Sequence, residues 1–110
     1  MIEKLYDFSK KDTKQIEKLV DDESILINHM ILPKGEGIPE HYSNSNVYMV
    51  IIKGIMTLKL DDQEPQKYAH GKIVSIPYNT KMNVYNFDEC VLDFFVLKSP
   101  NPTNYKEVSV

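Results

Sequence analysis

Residues 41–54, HYSNSNVYMVIIKG, decide the fold of this chain of 110 residues. Within that stretch, residues 47–52 are an uninterrupted apolar run whose length suits a buried strand. The Lys53-Gly54 pair that follows is a turn signal, and residues 55–60 then predict a returning strand. The sequence therefore predicts a hairpin with His41 at the mouth of its first strand. The open end of such a hairpin can present polar groups to a cavity.

Upstream of the hairpin, residues 24–32 predict a strand that is apolar on both faces, so both faces must be covered. In a chain this small, a second subunit is a natural cover, and we expect a homodimer. Residues 2–8 alternate loosely and are compatible with a short strand. Ile16, Leu19 and Val20 recur at helical spacing, which predicts one short N-terminal helix over residues 13–21.

Downstream of the hairpin, short apolar runs at residues 66–69, 72–77, 82–86 and 90–98 are separated by turn residues. Seven or eight short strands with frequent turns are typical of an all-β sandwich or barrel. We interpret residues 1–110 as one domain. It comprises an N-terminal arm of strand and helix (1–23), a β-barrel (24–100) and a C-terminal tail (101–110).

The composition argues against several classes of partner. The net charge is −3, and all thirteen basic residues are lysines. Without arginine or a basic stripe, neither nucleic acid nor an anionic membrane surface is an expected partner. The N-terminus mixes charges in a way that signal peptides do not, and the longest apolar run is too short to span a bilayer. A cytoplasmic protein is the expectation, and the single cysteine, Cys90, leaves no disulfide within the chain.

The spacing of particular residues resembles the two motifs of the cupins, which are double-stranded β-helix (jelly-roll) barrels. The first cupin motif contains His-x-His and then Glu, and it closes on Gly seven residues after the Glu. The second runs Gly, five residues, Pro-x-Gly, two residues, His, three residues, Asn. Gly54, Gly71, Pro77 and Asn86 fall in register with this frame, and the ending FFVLKSP is similar to the last cupin strand. The resemblance covers roughly residues 25–100 and implies the jelly-roll barrel.

The same resemblance implies four positions for the ligands of a metal, and here they hold His41, Ser43, Val47 and Met82. Only the histidine is a conventional ligand, whereas catalytic zinc or iron sites use about three protein ligands. Apolar neighbours also raise the cost of placing a divalent charge. We therefore predict no metal and no other cofactor, and we assign no catalytic residue.

The barrel interior is therefore expected to differ from that of a metal-binding cupin. Strand alternation predicts which side chains line it. The candidate pocket is apolar and rich in thioethers, which suits a small apolar or weakly polar ligand. Its predicted lining is His41, Ser43, Val47, Met49, Met82, Val84 and Asn86.

Three functions stay open at this point. The first is a cupin-like module without a conventional metal site that binds or senses a small molecule. The second is an atypical cupin enzyme that uses His41 as an acid/base, or as one ligand of a non-standard metal site. The third is a structural or interaction protein whose barrel is filled by its own side chains.

Overall fold

Residues 2–104, the range that the computed structural model describes, form two antiparallel β-sheets packed face to face. The C-terminal tail predicted over residues 101–110 lies largely outside this range. Within it, the elements are β1 (Gln15–Asp21), β2 (Leu26–Leu32), β3 (Gly37–Tyr42), β4 (Asn46–Lys53), β5 (Ile55–Leu60), β6 (Gln66–Ala69), β7 (Ile73–Ile76), β8 (Lys81–Tyr85), β9 (Leu92–Ser99) and a 3-10 helix (Pro102–Asn104).

The two sheets have the strand orders β1-β2-β9-β4-β7 and β3-β8-β5-β6. Every pairing is antiparallel, and neighbouring strands are often distant in sequence, as in β2 with β9 and β3 with β8. This is the double-stranded β-helix that the sequence predicted, so the predicted fold class is confirmed. The predicted hairpin of β4 and β5 is wrong, because the two strands lie in different sheets and do not pair with each other. β4 pairs with β7 and β9, and after the turn at Gly54 the chain crosses to the second sheet, where β5 pairs with β6 and β8.

The predicted N-terminal helix over residues 13–21 is wrong, because this segment forms strand β1. β1 pairs with β2 along its length, and the register shifts between Lys18 and Val20. That bulge leaves two consecutive residues, Leu19 and Val20, both partly buried. A bulged strand of this kind imitates the helical spacing of apolar residues, and pairing with the edge of β2 outweighs local helix propensity.

Residues 2–14 do not contain the short strand suggested for residues 2–8, since no residue there pairs in a sheet. Instead this segment crosses the outer face of the five-stranded sheet. The Phe8 ring lies 4.8 Å from the Phe95 ring, edge to face, and 5.1 Å from the ring of His29. In the structure we use the name N-terminal arm for residues 2–14 alone. This arm covers part of the outer sheet face, which the apolar pattern of residues 24–32 predicted to be covered.

The core lies between the sheets and consists of the inward side chains of both, with Phe94, Met49 and Met56 among its largest fully buried members. Alternation along β9 places Phe94 and Val96 inward, whereas Phe95 and Leu97 lie on the outer face. Within residues 2–104 no helix has the length and apolar character needed to cross a membrane.

Candidate ligand cavity inside the barrel

A cavity of about 290 Å³ lies between the two sheets, at the end of the barrel where β3 and β8 face β2, β9 and β4. Its volume is at the lower end of the range for small-molecule sites, about 300–1,000 Å³. Its wall is almost wholly apolar, with three polar side chains. The lining residues are Met30, Ile38, Pro39, His41, Ser43, Val47, Met49, Met82, Val84, Val96 and Lys98.

The structure brings together on this wall all but one of the residues that the sequence singled out. His41 and Met82 are partners across the β3–β8 pair, although they are far apart in sequence. Val47 and Met49 enter from β4 on the opposite sheet. The alternation of strands β4 and β8 thus places the predicted side chains on the cavity, as expected for inward-facing positions.

Asn86 does not line the cavity. β8 ends at Tyr85, and the alternation used to place Asn86 stops with it. Its fully buried side chain instead donates to the carbonyl oxygens of Leu32, at 2.8 Å, and Cys90, at 2.9 Å. Its Oδ1 accepts from the backbone N–H of Asp88 at 2.9 Å. Asn86 therefore organises the turn between β8 and β9 rather than contacting a ligand.

Two of the three polar groups on the wall already make hydrogen bonds to the barrel itself. Nδ1 of His41 lies 2.9 Å from the carbonyl oxygen of Pro39, so Nδ1 carries the proton and Nε2 is an acceptor in the neutral ring. The Ser43 hydroxyl donates to the carbonyl oxygen of Pro77 at 2.6 Å and accepts from the backbone N–H of Thr80 at 2.8 Å. Ser43 thus holds the turn before β8 in place.

The donor set does not suit a divalent metal. Of the four positions that correspond to cupin metal ligands, Val47 has no donor atom, and Met82 offers a thioether in place of an imidazole. The Ser43 hydroxyl is already committed to backbone groups. His29 lies on the opposite face of β2 from Met30 and hence outside the cavity. Across residues 2–104, no three His, Cys, Asp or Glu side chains are grouped so that they could hold a metal ion.

Five lining residues were not identified from the sequence, and Lys98 is the most informative of them. Alternation along β9 continues from Phe94 and Val96 to Lys98, so the inward position of this lysine was readable from the strand pattern. Burial lowers the pKa of Lys98, because its surroundings remove water from the ammonium group. The others, from β2, β3 and β9, are Met30, Ile38, Pro39 and Val96.

A second polar cluster, which we call the outer histidine cluster, consists of Glu17, His29 and Asp93 on the outer face of the five-stranded sheet. Nδ1 of the fully buried His29 lies 2.7 Å from Oε2 of Glu17, and Nε2 lies 2.6 Å from Oδ1 of Asp93. An ionised carboxylate only accepts hydrogen bonds, so each of these carboxyl groups faces a ring nitrogen that can donate to it.

The arm closes over this cluster. The backbone N–H of Ser9 donates to the same Glu17 oxygen at 3.1 Å. The hydrogen bond from His29, followed in size by that from Ser9, lowers the pKa of the Glu17 carboxyl. The outer histidine cluster therefore joins β1, β2 and β9 to the N-terminal arm. The sequence suggested none of this, because its members are separated by as many as 76 positions, from Glu17 to Asp93.

The chain belongs to the cupin family, as its two-sheet barrel and its similarity to a solved cupin show. That relative is the uncharacterized protein MJ0764 of Methanocaldococcus jannaschii, which is 55% identical over 104 residues, covering 93% of this chain and 89% of the relative. The MJ0764 crystal structure, described as an RmlC-like cupin family protein with a double-stranded β-helix fold, matches with a TM-score of 0.91. That match covers 94% of this chain and 95% of the other at 53% identity.

More distant solved structures share the fold alone. A cupin superfamily protein from Desulfitobacterium hafniense has a TM-score of 0.72 at 12% identity, over 84% of this chain and 82% of that one. A cupin domain from Bordetella pertussis has a TM-score of 0.69 at 16% identity, over 84% of this chain and 98% of that one. No protein-family model matches the sequence.

Proposed function

We propose that this protein is a metal-independent cupin that binds or senses a small, largely apolar molecule in the cavity between its sheets. The observation that carries the proposal is the cavity itself, about 290 Å³ with an almost entirely apolar wall. An apolar cavity of about 150 Å³ is already large enough to hold benzene. The space is thus sufficient for a ring and a short substituent.

The composition of the wall supports a ligand rather than a metal. Methionine side chains from three different strands, Met30, Met49 and Met82, contribute to it. Their flexible thioethers adapt to the shape of an apolar guest and also contact aromatic rings favourably. A divalent ion would gain little from the same atoms.

The test is an NMR titration of protein labelled with ¹³C in the methionine methyl groups, with benzyl alcohol as a neutral probe. We expect the methyl signals of Met30, Met49 and Met82 to shift together, with a Kd of about 1 mM for so small a probe. Met56 is the internal control, because it is fully buried in the core but does not line the cavity. Equal shifts at Met56, or none at the other three, would contradict the proposal.

A cavity-filling variant provides the matched control. Val84 and Val96 are both buried and both line the cavity, so Val84→Phe/Val96→Phe places two rings in the space that the probe would occupy. We expect this variant to keep its melting temperature within a few degrees and to lose the probe-induced shifts. Metal analysis of protein purified without chelator or affinity tag should show no stoichiometric transition metal. One tightly held divalent ion per chain would instead favour the enzyme hypothesis.

We also propose that the chain acts as a homodimer through the outer face of the five-stranded sheet. The N-terminal arm covers one part of this face, while three large side chains of β4 and β7, Tyr48, Ile52 and Ile73, are 41%, 50% and 67% exposed. Of these, Ile73 pairs with Val50 across the two strands. Exposed apolar side chains of this kind can pack against the same side chains of a second copy, which is what a two-fold interface between identical chains requires.

Light scattering at micromolar concentration should therefore give twice the chain mass of 12.8 kDa. Ile52→Asp/Ile73→Asp should give the monomer mass, because each dimer would bury four carboxylates without partners. Phe87→Asp is the control, since Phe87 is 60% exposed but stacks on Tyr85 of the other sheet, and it should leave the mass unchanged. A wild-type monomer would refute the dimer.

A further inference from the structure

Lys98 is a lysine at an inward-facing position of the barrel. In the five-stranded sheet it is the register partner of Leu26 on β2 and of Val47 on β4, and both of those side chains are buried. The preceding inward residues of the same strand, Phe94 and Val96, belong to the hydrophobic core. Lysine is rarely buried without a partner, because removing its ammonium group from water is costly.

No partner for this ammonium group is present within residues 2–104. The lysines that form ion pairs in that range are Lys14, Lys18, Lys34 and Lys67, and Lys98 takes part in neither an ion pair nor a side-chain hydrogen bond. The carbon chain of a lysine can lie along apolar surface while its nitrogen reaches solvent. Here Lys98 lines the cavity, and desolvation lowers its pKa with no opposing carboxylate.

Lys98 is also the one polar group of the wall with unused donor hydrogens. The Ser43 hydroxyl donates to Pro77, and the Nδ1 proton of His41 is directed to the carbonyl oxygen of Pro39. In the neutral imidazole, Nε2 can only accept. With His41 neutral, the unused side-chain N–H donors that a ligand atom can meet on this wall are the three of Lys98.

We infer that the ligand of this cavity is a small apolar monocarboxylate whose carboxylate pairs with Lys98 and whose apolar body lies among the methionines. This inference rests on the proposed function and adds the chemical class of the ligand. A single ammonium group balances a single negative charge. A phosphate ester would bring close to two charges, and the wall offers no second free cation or row of backbone N–H groups.

The same methionine-methyl titration tests the inference with three probes of nearly equal size, benzoate, benzyl alcohol and benzylamine, at pH 7. We expect benzoate to bind about tenfold or more tightly than benzyl alcohol, since a hydrogen bond to a charged group contributes about 1.5–3 kcal/mol. Benzylamine should bind most weakly, because it places a second cation beside Lys98.

Three variants test whether Lys98 causes the preference for benzoate. Lys98→Met should lose the preference for benzoate over benzyl alcohol, whereas Lys98→Arg should retain that preference. Lys72→Met, which removes an exposed lysine outside the cavity, should behave as the wild type. Melting temperatures of all three variants verify that the barrel is folded.

The outcomes separate the inference from the proposed function. Benzyl alcohol binding as tightly as benzoate, or a benzoate preference that persists in Lys98→Met, overturns the inference and leaves the proposed function standing. If none of the three probes shifts the methyl signals of Met30, Met49 and Met82, the proposed function fails and the inference fails with it.

Discussion

Replacing His29 by leucine is expected to lower the free energy of unfolding by about 3 kcal/mol or more, the effect of removing one partner from a buried ionic group. The His29 ring is fully buried between two carboxyl groups, with its nitrogens 2.7 Å from Glu17 and 2.6 Å from Asp93. Without it, two negative charges that are only 27% and 19% exposed are left close to each other. The leucine also loses the ring contact with Phe8. Urea unfolding of the variant measures the change.

A triple variant separates charge from packing. Glu17→Gln/His29→Leu/Asp93→Asn removes both orphaned charges together with the histidine, and we expect it to recover more than half of the stability lost in His29→Leu. Such recovery is the usual result when a buried ionic group is replaced as a whole. If His29→Leu were within about 0.5 kcal/mol of the wild type, the range typical of neutral surface substitutions, the outer histidine cluster would not be a determinant of stability.

The outer histidine cluster also predicts that the folding stability falls as the solution becomes acidic. The pKa of Glu17 is lowered in the folded protein from its ordinary value of 4.5 by the hydrogen bonds from His29 and Ser9. Its contribution to stability is therefore fully present above that value and is lost as the pH falls through the folded pKa. Between pH 6 and pH 3.5, the wild type should lose more stability than Glu17→Gln. An equal loss in both proteins would contradict this assignment.

The second large effect is expected at Gly54, which forms the turn between β4 and β5. Its φ of +84° is rarely adopted by other residues, and an added Cβ would lie 2.4 Å from the carbonyl oxygen of Val91. Because the obstructing atom belongs to the backbone, no side-chain rotation can relieve the contact. We expect Gly54→Ala to cost about 3 kcal/mol or more, in the range of severe backbone and packing defects.

Gly71 offers a matched control for this substitution. It has a similar φ of +88°, but an added Cβ there would meet no atom within 4 Å. Gly71→Ala should therefore show the conformational cost alone, about 1–2 kcal/mol. The difference between the two unfolding free energies measures how closely the β4–β5 turn approaches the start of β9. Equal costs would show that the turn moves freely enough to accommodate a methyl group.

The errors of the sequence analysis have particular physical causes. β1 was predicted as a helix because a β-bulge places Leu19 and Val20 next to each other on partly buried positions, which interrupts the alternation of a strand. Asn86 was assigned to the cavity because alternation was extended one residue past the end of β8. We did not assign Lys98 to the cavity from the sequence, because a lysine near the end of an apolar strand is commonly the point where the strand reaches solvent.

By itself the sequence predicted an all-β sandwich or barrel from its short strands and turn residues, and the spacing that resembles the cupin motifs specified the jelly roll. Each of these signals extends over only a few residues. It also determined which side chains of β4 and β8 face inward, since alternation is a local property of the backbone. Only the tertiary structure decided that Lys98 shares a cavity with His41 and that His29 is held between Glu17 and Asp93. Those groupings arise because strands far apart in sequence pair and stack, so no pattern within one segment specifies them.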